Sequence, residues 1–139
     1  MESLTSFIEK DISNLLKESG AFFAFGEKQF NEQKEQGVKY ISDGTGLLVP
    51  KDTYKEFNAK YEAIVKTGSS RLIEKYGADA IIRYEYFNHE QQLGYFQNVE
   101  ESDTYHALSS FIKYPGFDIE NIQKVFKQCY QEAINNDYF

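Results

Sequence analysis

Hydrophobic positions along this chain fall into blocks of different period, and each block predicts an element. From residue 3 to 19, Leu4, Phe7, Ile8, Ile12, Leu15 and Leu16 recur at intervals of three and four. That spacing puts them on one face of an amphipathic helix. Ser3 or Thr5 can cap its start, and Gly20 suits the position just past its end. Ala21 to Phe25 is a continuous apolar run between Gly20 and Gly26, which predicts a short strand buried on both faces. Glu27 to Gln36 is polar apart from Phe30 and predicts a short surface helix or turn held down by that ring.

Val38 to Val49 reads as a hairpin. Two β-prone stretches flank Asp43-Gly44, which suits a two-residue type I′ turn. Gly46 marks a bulge or a close approach of backbone. Pro50 closes the second strand because it has no N–H to donate. Asp52 is placed to cap a long helix with Tyr54, Phe57, Tyr61, Ile64 and Val65 on its inner face. Gly68-Ser69-Ser70 interrupts that pattern, and Leu72, Ile73 and Tyr76 resume it. Positions 57, 61, 64, 68 and 72 keep one face, which favours a single helix, bent at the glycine, over two helices meeting there; Gly77 ends it.

Gly77 to Glu90 is the segment around which the rest is organised. Ala78, Ile81, Ile82, Tyr86 and His89 share one helical face, and Asp79 sits in the first turn, where negative charge favours the positive end of the helix dipole. The aromatic and β-branched residues would also suit a strand, but the spacing favours a helix. Its apolar groups cover most of the circumference, which predicts packing on more than one side. Beyond it, Gly94 breaks the helix and Tyr95-Phe96 can add a short edge strand. Ser102 or Asp103 caps a helix with Tyr105, Leu108, Phe111 and Ile112 inward. Pro115-Gly116 ends that helix, and Asp118 caps a last one whose buried stripe is Ile122, Val125, Phe126, Cys129 and Ala133. There is no internal repeat or low-complexity tract. The whole predicts one α+β domain, 1–139: a small antiparallel sheet of about three strands, from residues 21 to 49, against four to five helices.

Composition then narrows the function classes. The chain carries 22 acidic and 15 basic residues, a net charge of −7. Direct binding to nucleic acid is not expected, since phosphate contacts need clustered Lys and Arg. Nor is any acidic run long enough to mimic a DNA backbone. The charge fits a solvated surface, or docking on a basic protein. Eleven Tyr and twelve Phe, with no Trp, give either polar-rimmed packing or a contact surface. The single cysteine, Cys129, allows no internal disulfide. No basic-then-apolar leader and no long apolar stretch is present, so the expectation is a cytoplasmic protein without a membrane span.

Candidate chemistry gathers at the end of the central segment. His89 is a candidate acid or base near neutral pH, with Glu85 or Glu90 to orient it. Glu85 and His89 stand four apart, so on a helix their side chains meet and are weak candidates for sharing a metal; two ligands do not make a site. Arg83 can pair with Glu90 or take an anion, and Asn88 tolerates the left-handed geometry of a helix end. Each has a plainer structural role: a paired histidine, an ion pair, a helix terminus. Cys129, in mid-stripe, reads as a small core hydrophobe. No Ser/His/Asp arrangement has a local signature, and the glycines around Thr45 form neither a P-loop nor a dinucleotide fingerprint. Nothing in the sequence asks for a cofactor, and the chain reads more readily as a non-enzyme than as an enzyme.

The stretches GAFFAFGEKQF, GVKYISDGTGLLVPK and IIRYEYFNHE, in that order, resemble a family of small uncharacterised proteins from bacteriophages, plasmids and other bacterial mobile elements. The resemblance spans roughly residues 15 to 135. Gln91-Gln92 stands here where that family turns directly into an aromatic-glycine stretch. The resemblance implies a setting and no activity: an accessory protein that binds a host protein, such as an inhibitor of host defence. The alternative is a small-molecule or nucleotide-binding protein, a sponge or weak hydrolase, with a pocket of Arg83, Glu85, Asn88, His89 and Glu90. A homodimer is the third.

Overall fold

The computed structural model describes residues 1–89 and 98–136. Among them are six α-helices and a three-stranded antiparallel sheet, the α+β class that the hydrophobic pattern predicts. The order is α1 (Leu4–Ser19), β1 (Phe22–Phe23), α2 (Glu27–Gln33), β2 (Tyr40–Ser42), β3 (Leu47–Pro50), α3 (Tyr54–Tyr76), α4 (Ala78–His89), α5 (Asp103–Ala107) and α6 (Ile119–Asn135). Short 3₁₀ turns occupy 51–53 and 99–101. The chain divides into two units, residues 8–67 and residues 1–7 with 68–139.

In the unit of residues 8–67 the sheet order is β1-β3-β2. Cα partners Phe22↔Leu48 and Ser42↔Leu48 put Phe22, Leu48 and Ser42 on one face, since paired residues share a face and neighbours alternate. Val49 and Leu47 point the other way, where they join Leu15 of α1 and Phe57 of α3. Phe30 of α2 stands with the first face, its ring 6.3 Å from Phe22 and 5.9 Å from Tyr40. The expected strand at 21–25, buried on both faces, is therefore corrected. β1 is two residues long, lies at the sheet edge, and leaves Phe23 46% exposed. The two-residue turn is corrected as well. The register Ser42↔Leu48 centres the turn on Thr45, and the Asp43 carboxylate accepts both the N–H and the hydroxyl of Thr45, at 2.9 and 2.6 Å. Gly46 is a close approach, as expected: its φ is +98°, and a Cβ there would lie 2.6 Å from the Phe25 ring. Asp52 lies inside the 3₁₀ turn 51–53, which has no side-chain cap. Instead the Thr53 hydroxyl donates to the Ser19 carbonyl at 2.9 Å.

In the other unit, α4, α5 and α6 pack around one cluster: Leu72, Ile81, Ile82, Tyr86, Val99, Leu108, Phe111, Phe117, Ile122, Val125, Phe126 and Cys129. α3 runs unbroken through Gly68, and Gly77, at φ +85°, supplies the left-handed residue at its end and donates to Ile73. The Ser102 hydroxyl accepts from Tyr105 N and the Asp118 carboxylate from Asn121 N, so both predicted caps form. The proposed edge strand at Tyr95-Phe96 lies outside the described residues.

Candidate functional site

Two places merit attention, one in each unit. The first is the end of α4. Helical period places Ile81, Ile82, Glu85 and Tyr86 inward. Glu85 is the exception among them, a carboxylate only 8% exposed. Burial pushes its pKa up, against the pull of His89, whose Nε2 lies 2.9 Å from Glu85 Oε2. His89, which spacing places on the helical face of Ile82 and Tyr86, stands exposed. Four residues advance a helix by about 400°, so each i+4 step rotates about 40° off the stripe. Its partner is thus a carboxylate on its own helix.

Arg83, expected to pair with Glu90 or an anion, forms a two-pronged ion pair with Glu132 of α6. That pairing holds the Glu132 carboxyl below its usual range. The guanidinium also lies over the Phe87 ring, 5.0 Å from its centre. Asn88 is exposed at the helix end. Glu90 lies outside the described residues. The structure thus brings Glu85 and His89 together and draws Arg83 away to α6. Among the described residues no cluster of three or more His, Cys, Asp or Glu is placed to hold a metal ion. Cys129 is buried and its thiol is pushed up to about 11 by burial, so at neutral pH it is an apolar thiol and not a nucleophile.

In the glycine loop 43–46 the Thr45 N–H is satisfied from within the loop. Asp43 supplies its own carboxylate to the Thr45 N–H, and that hydrogen bonding lowers its pKa.

The second place is a groove that the sequence did not announce. It opens on the sheet face opposite the Leu15–Val49–Phe57 cluster, with a volume of about 840 Å³. Ala24, Phe25, Phe30, Tyr40 and Leu48 line it, with Glu27 and Lys39 as its charged members. Phe30, Phe22 and Tyr40 brace one another edge-to-face or stacked at one wall. Phe25 stands 76% exposed beside it. Phe23 and Phe25 stack nearly parallel, 6.2 Å between centres and 9° between planes. The signal available in the sequence was the density of Phe between Gly20 and Gly26, which was read as core.

No helix among the described residues is long and apolar enough to cross a membrane. Neither the curated proteins nor the solved structures contain a match to the chain. One family, described as a family of unknown function (DUF7659), matches residues 4–136, nearly the full length, and the chain belongs to that family.

Proposed function

We propose that this chain is a non-enzymatic binding protein that takes a protein partner at the aromatic groove of its sheet. The observation that carries the reading is Phe25, 76% exposed in the lining of that groove, with the exposed Phe23 ring stacked on it from the end of β1. Exposed rings held in one geometry bury much apolar area for little lost side-chain freedom, which is why aromatics dominate contact hot spots. The open shape favours a polypeptide surface over a small molecule, which a pocket usually encloses on most sides. The net charge of −7 suits a partner with a basic surface. The sequence resemblance to mobile-element proteins supports the setting: an accessory protein of a phage or plasmid acting on a host protein, as an inhibitor of host defence.

The test is affinity capture from bacterial lysate with three baits, followed by calorimetry on the purified captured protein. The wild type and a Glu85→Gln/His89→Ala variant retain the same protein. Phe23→Ser/Phe25→Ser, with an unchanged circular dichroism spectrum, loses it, by about 30-fold or more in affinity. Equal retention by the Phe variant overturns the reading.

One observation favours a second reading, a small-molecule or nucleotide site near His89. Glu85 is buried with a raised pKa beside an exposed imidazole, and carboxylates perturbed in this way cluster at working sites. The histidine resonances report on it: a nucleotide panel that shifts His89 and leaves His106 in place supports this reading, and no shift removes it.

A further inference from the structure

The outer edge of β1 is occupied by side chains that behave as a neighbouring strand would. Ala24 donates its N–H to the Gly46 carbonyl at 2.8 Å, so its main-chain groups face β3. By the alternation of an antiparallel ladder, those of Phe23 and Phe25 face outward. One group of each is taken by α2. Gln33 Nε2 donates to the Phe23 carbonyl at 3.1 Å, and Gln29 Oε1 accepts the Phe25 N–H at 2.7 Å. Four residues of helix rise about 6 Å and two residues of extended chain about 6.6 Å, so one face of α2 meets Phe23 at the end of β1 and Phe25 two residues beyond it. A glutamine amide carries the same donor and acceptor as a peptide group. The hold is light: both bonds are exposed, and α2 has no buried residue.

We propose that α2 is a guard on the edge of β1, and that Gln29 and Gln33 keep a second copy of this chain from adding there. The exposed edge is self-complementary. With two copies antiparallel about Ala24, the Phe23 carbonyl of each receives the Phe25 N–H of the other. The rings of Phe23 and Phe25 reinforce that pairing, since an apolar open edge is a template for strand addition.

The test is light-scattering mass across a concentration series for the full-length chain and four variants. Gln29→Ala/Gln33→Ala opens the guard and self-associates about tenfold or more tightly than wild type. Adding Phe23→Lys to that variant returns it to the wild-type mass, because a charge at the centre of the new ladder opposes pairing. A second pair covers the case in which the double alanine variant fails to fold. Gln29→Glu keeps an acceptor for the Phe25 N–H and behaves as wild type. Gln33→Glu sets an acceptor against the Phe23 carbonyl and associates, although both carry the same added charge. A folded Gln29→Ala/Gln33→Ala variant with the wild-type association constant overturns the proposal. So does association that Phe23→Lys leaves intact, or equal behaviour of the two glutamates.

Discussion

In the unit of residues 1–7 and 68–139, twelve buried side chains form one cluster, and Ile81, Ile82, Leu108, Ile122 and Phe126 have no exposure at all. In residues 8–67 the buried cluster is Leu15, Val49 and Phe57. The rings are distributed in the same sense. Phe111, Phe117 and Phe126 are buried in the first unit, while Phe23 and Phe25 of the second are exposed. Burial of apolar surface is the main drive for folding, so the first unit commits Phe111, Phe117 and Phe126 to its own stability. The second leaves Phe23 and Phe25 available and is fastened by polar contacts: Lys60 to Glu18 and Glu56, Thr53 to Ser19, Gln33 to Phe23 and Gln29 to Phe25. A thin core and exposed rings suit the contact surface proposed for residues 8–67, because little of their apolar area is committed inside.

The largest test of this contrast is a pair of core truncations. Phe126→Ala removes a ring fully shut off from water and 5.2 Å from Tyr86; it should destabilise by about 3–5 kcal/mol, the range for a buried Phe. Phe57→Ala should sit at or below the low end, about 3 kcal/mol, because a small cluster can relax around the gap. Urea melts give the totals, and hydrogen exchange shows which amides lose protection. Equal costs, with protection lost throughout both units, would break the contrast.

Next in size is Gly46→Ala. It places a Cβ at φ +98° and within 2.6 Å of the Phe25 ring, a site with both backbone strain and a steric conflict. The expected loss is about 1–3 kcal/mol. It should be confined to exchange in residues 8–67, and it should also weaken partner capture, since Phe25 must turn away. Unchanged exchange around Phe25 would show that its ring moves without consequence.

These differences also mark what could be read from the chain itself. The stripe Ile122, Val125, Phe126, Cys129 and Ala133 and the cap at Asp118 were legible because helical period and capping are local. Gly77 and the unbroken α3 were legible for the same reason. Phe22 to Phe25 was not: an unbroken apolar run has the same appearance in a central strand and at an edge. Which it is depends on strand order, and β3 comes between β1 and β2 only through pairings made later in the chain. The turn was misread because Asp43-Gly44 announces a tight turn while the Asp43–Thr45 hydrogen bonds widen it. At the candidate site, the Glu85–His89 contact followed from spacing on one helix, whereas the Glu132 partner of Arg83 lies 49 residues away and has no local signature.

A smaller effect concerns Glu85 and has a definite sign. Burial raises its pKa in the folded state above that of the unfolded chain, so the folded state holds the extra proton in the window between the two values. Stability attributable to this group therefore falls as pH rises through that window, just above the ordinary carboxylate range. Glu132 runs the other way: its folded pKa is lowered by Arg83, so its contribution is present at neutral pH and is lost as pH falls. In Glu85→Gln the decline with rising pH should disappear while the acid-side loss remains. Urea midpoints from about pH 3 to 8 cover both windows. An unchanged profile would mean that Glu85 is solvated in solution.

The smallest expected effect is at Arg83. Its pair with Glu132 is two-pronged and lies beside the Phe87 ring, yet the Arg83 side chain is 46% exposed. Exposed ion pairs contribute about 0–1 kcal/mol, so Arg83→Ala should leave the melt nearly unchanged, because the twelve-residue cluster beneath it carries the unit. Arg83→Lys is the sharper probe. Lysine keeps the charge but loses the planar fork and most of the stacking on Phe87. If Arg83→Lys and Arg83→Ala lose equally, geometry and stacking matter there and charge does not. A loss well above 1 kcal/mol from either would show that the unit leans on a surface fastening after all, and the contrast with residues 8–67 would narrow to the placement of the rings alone.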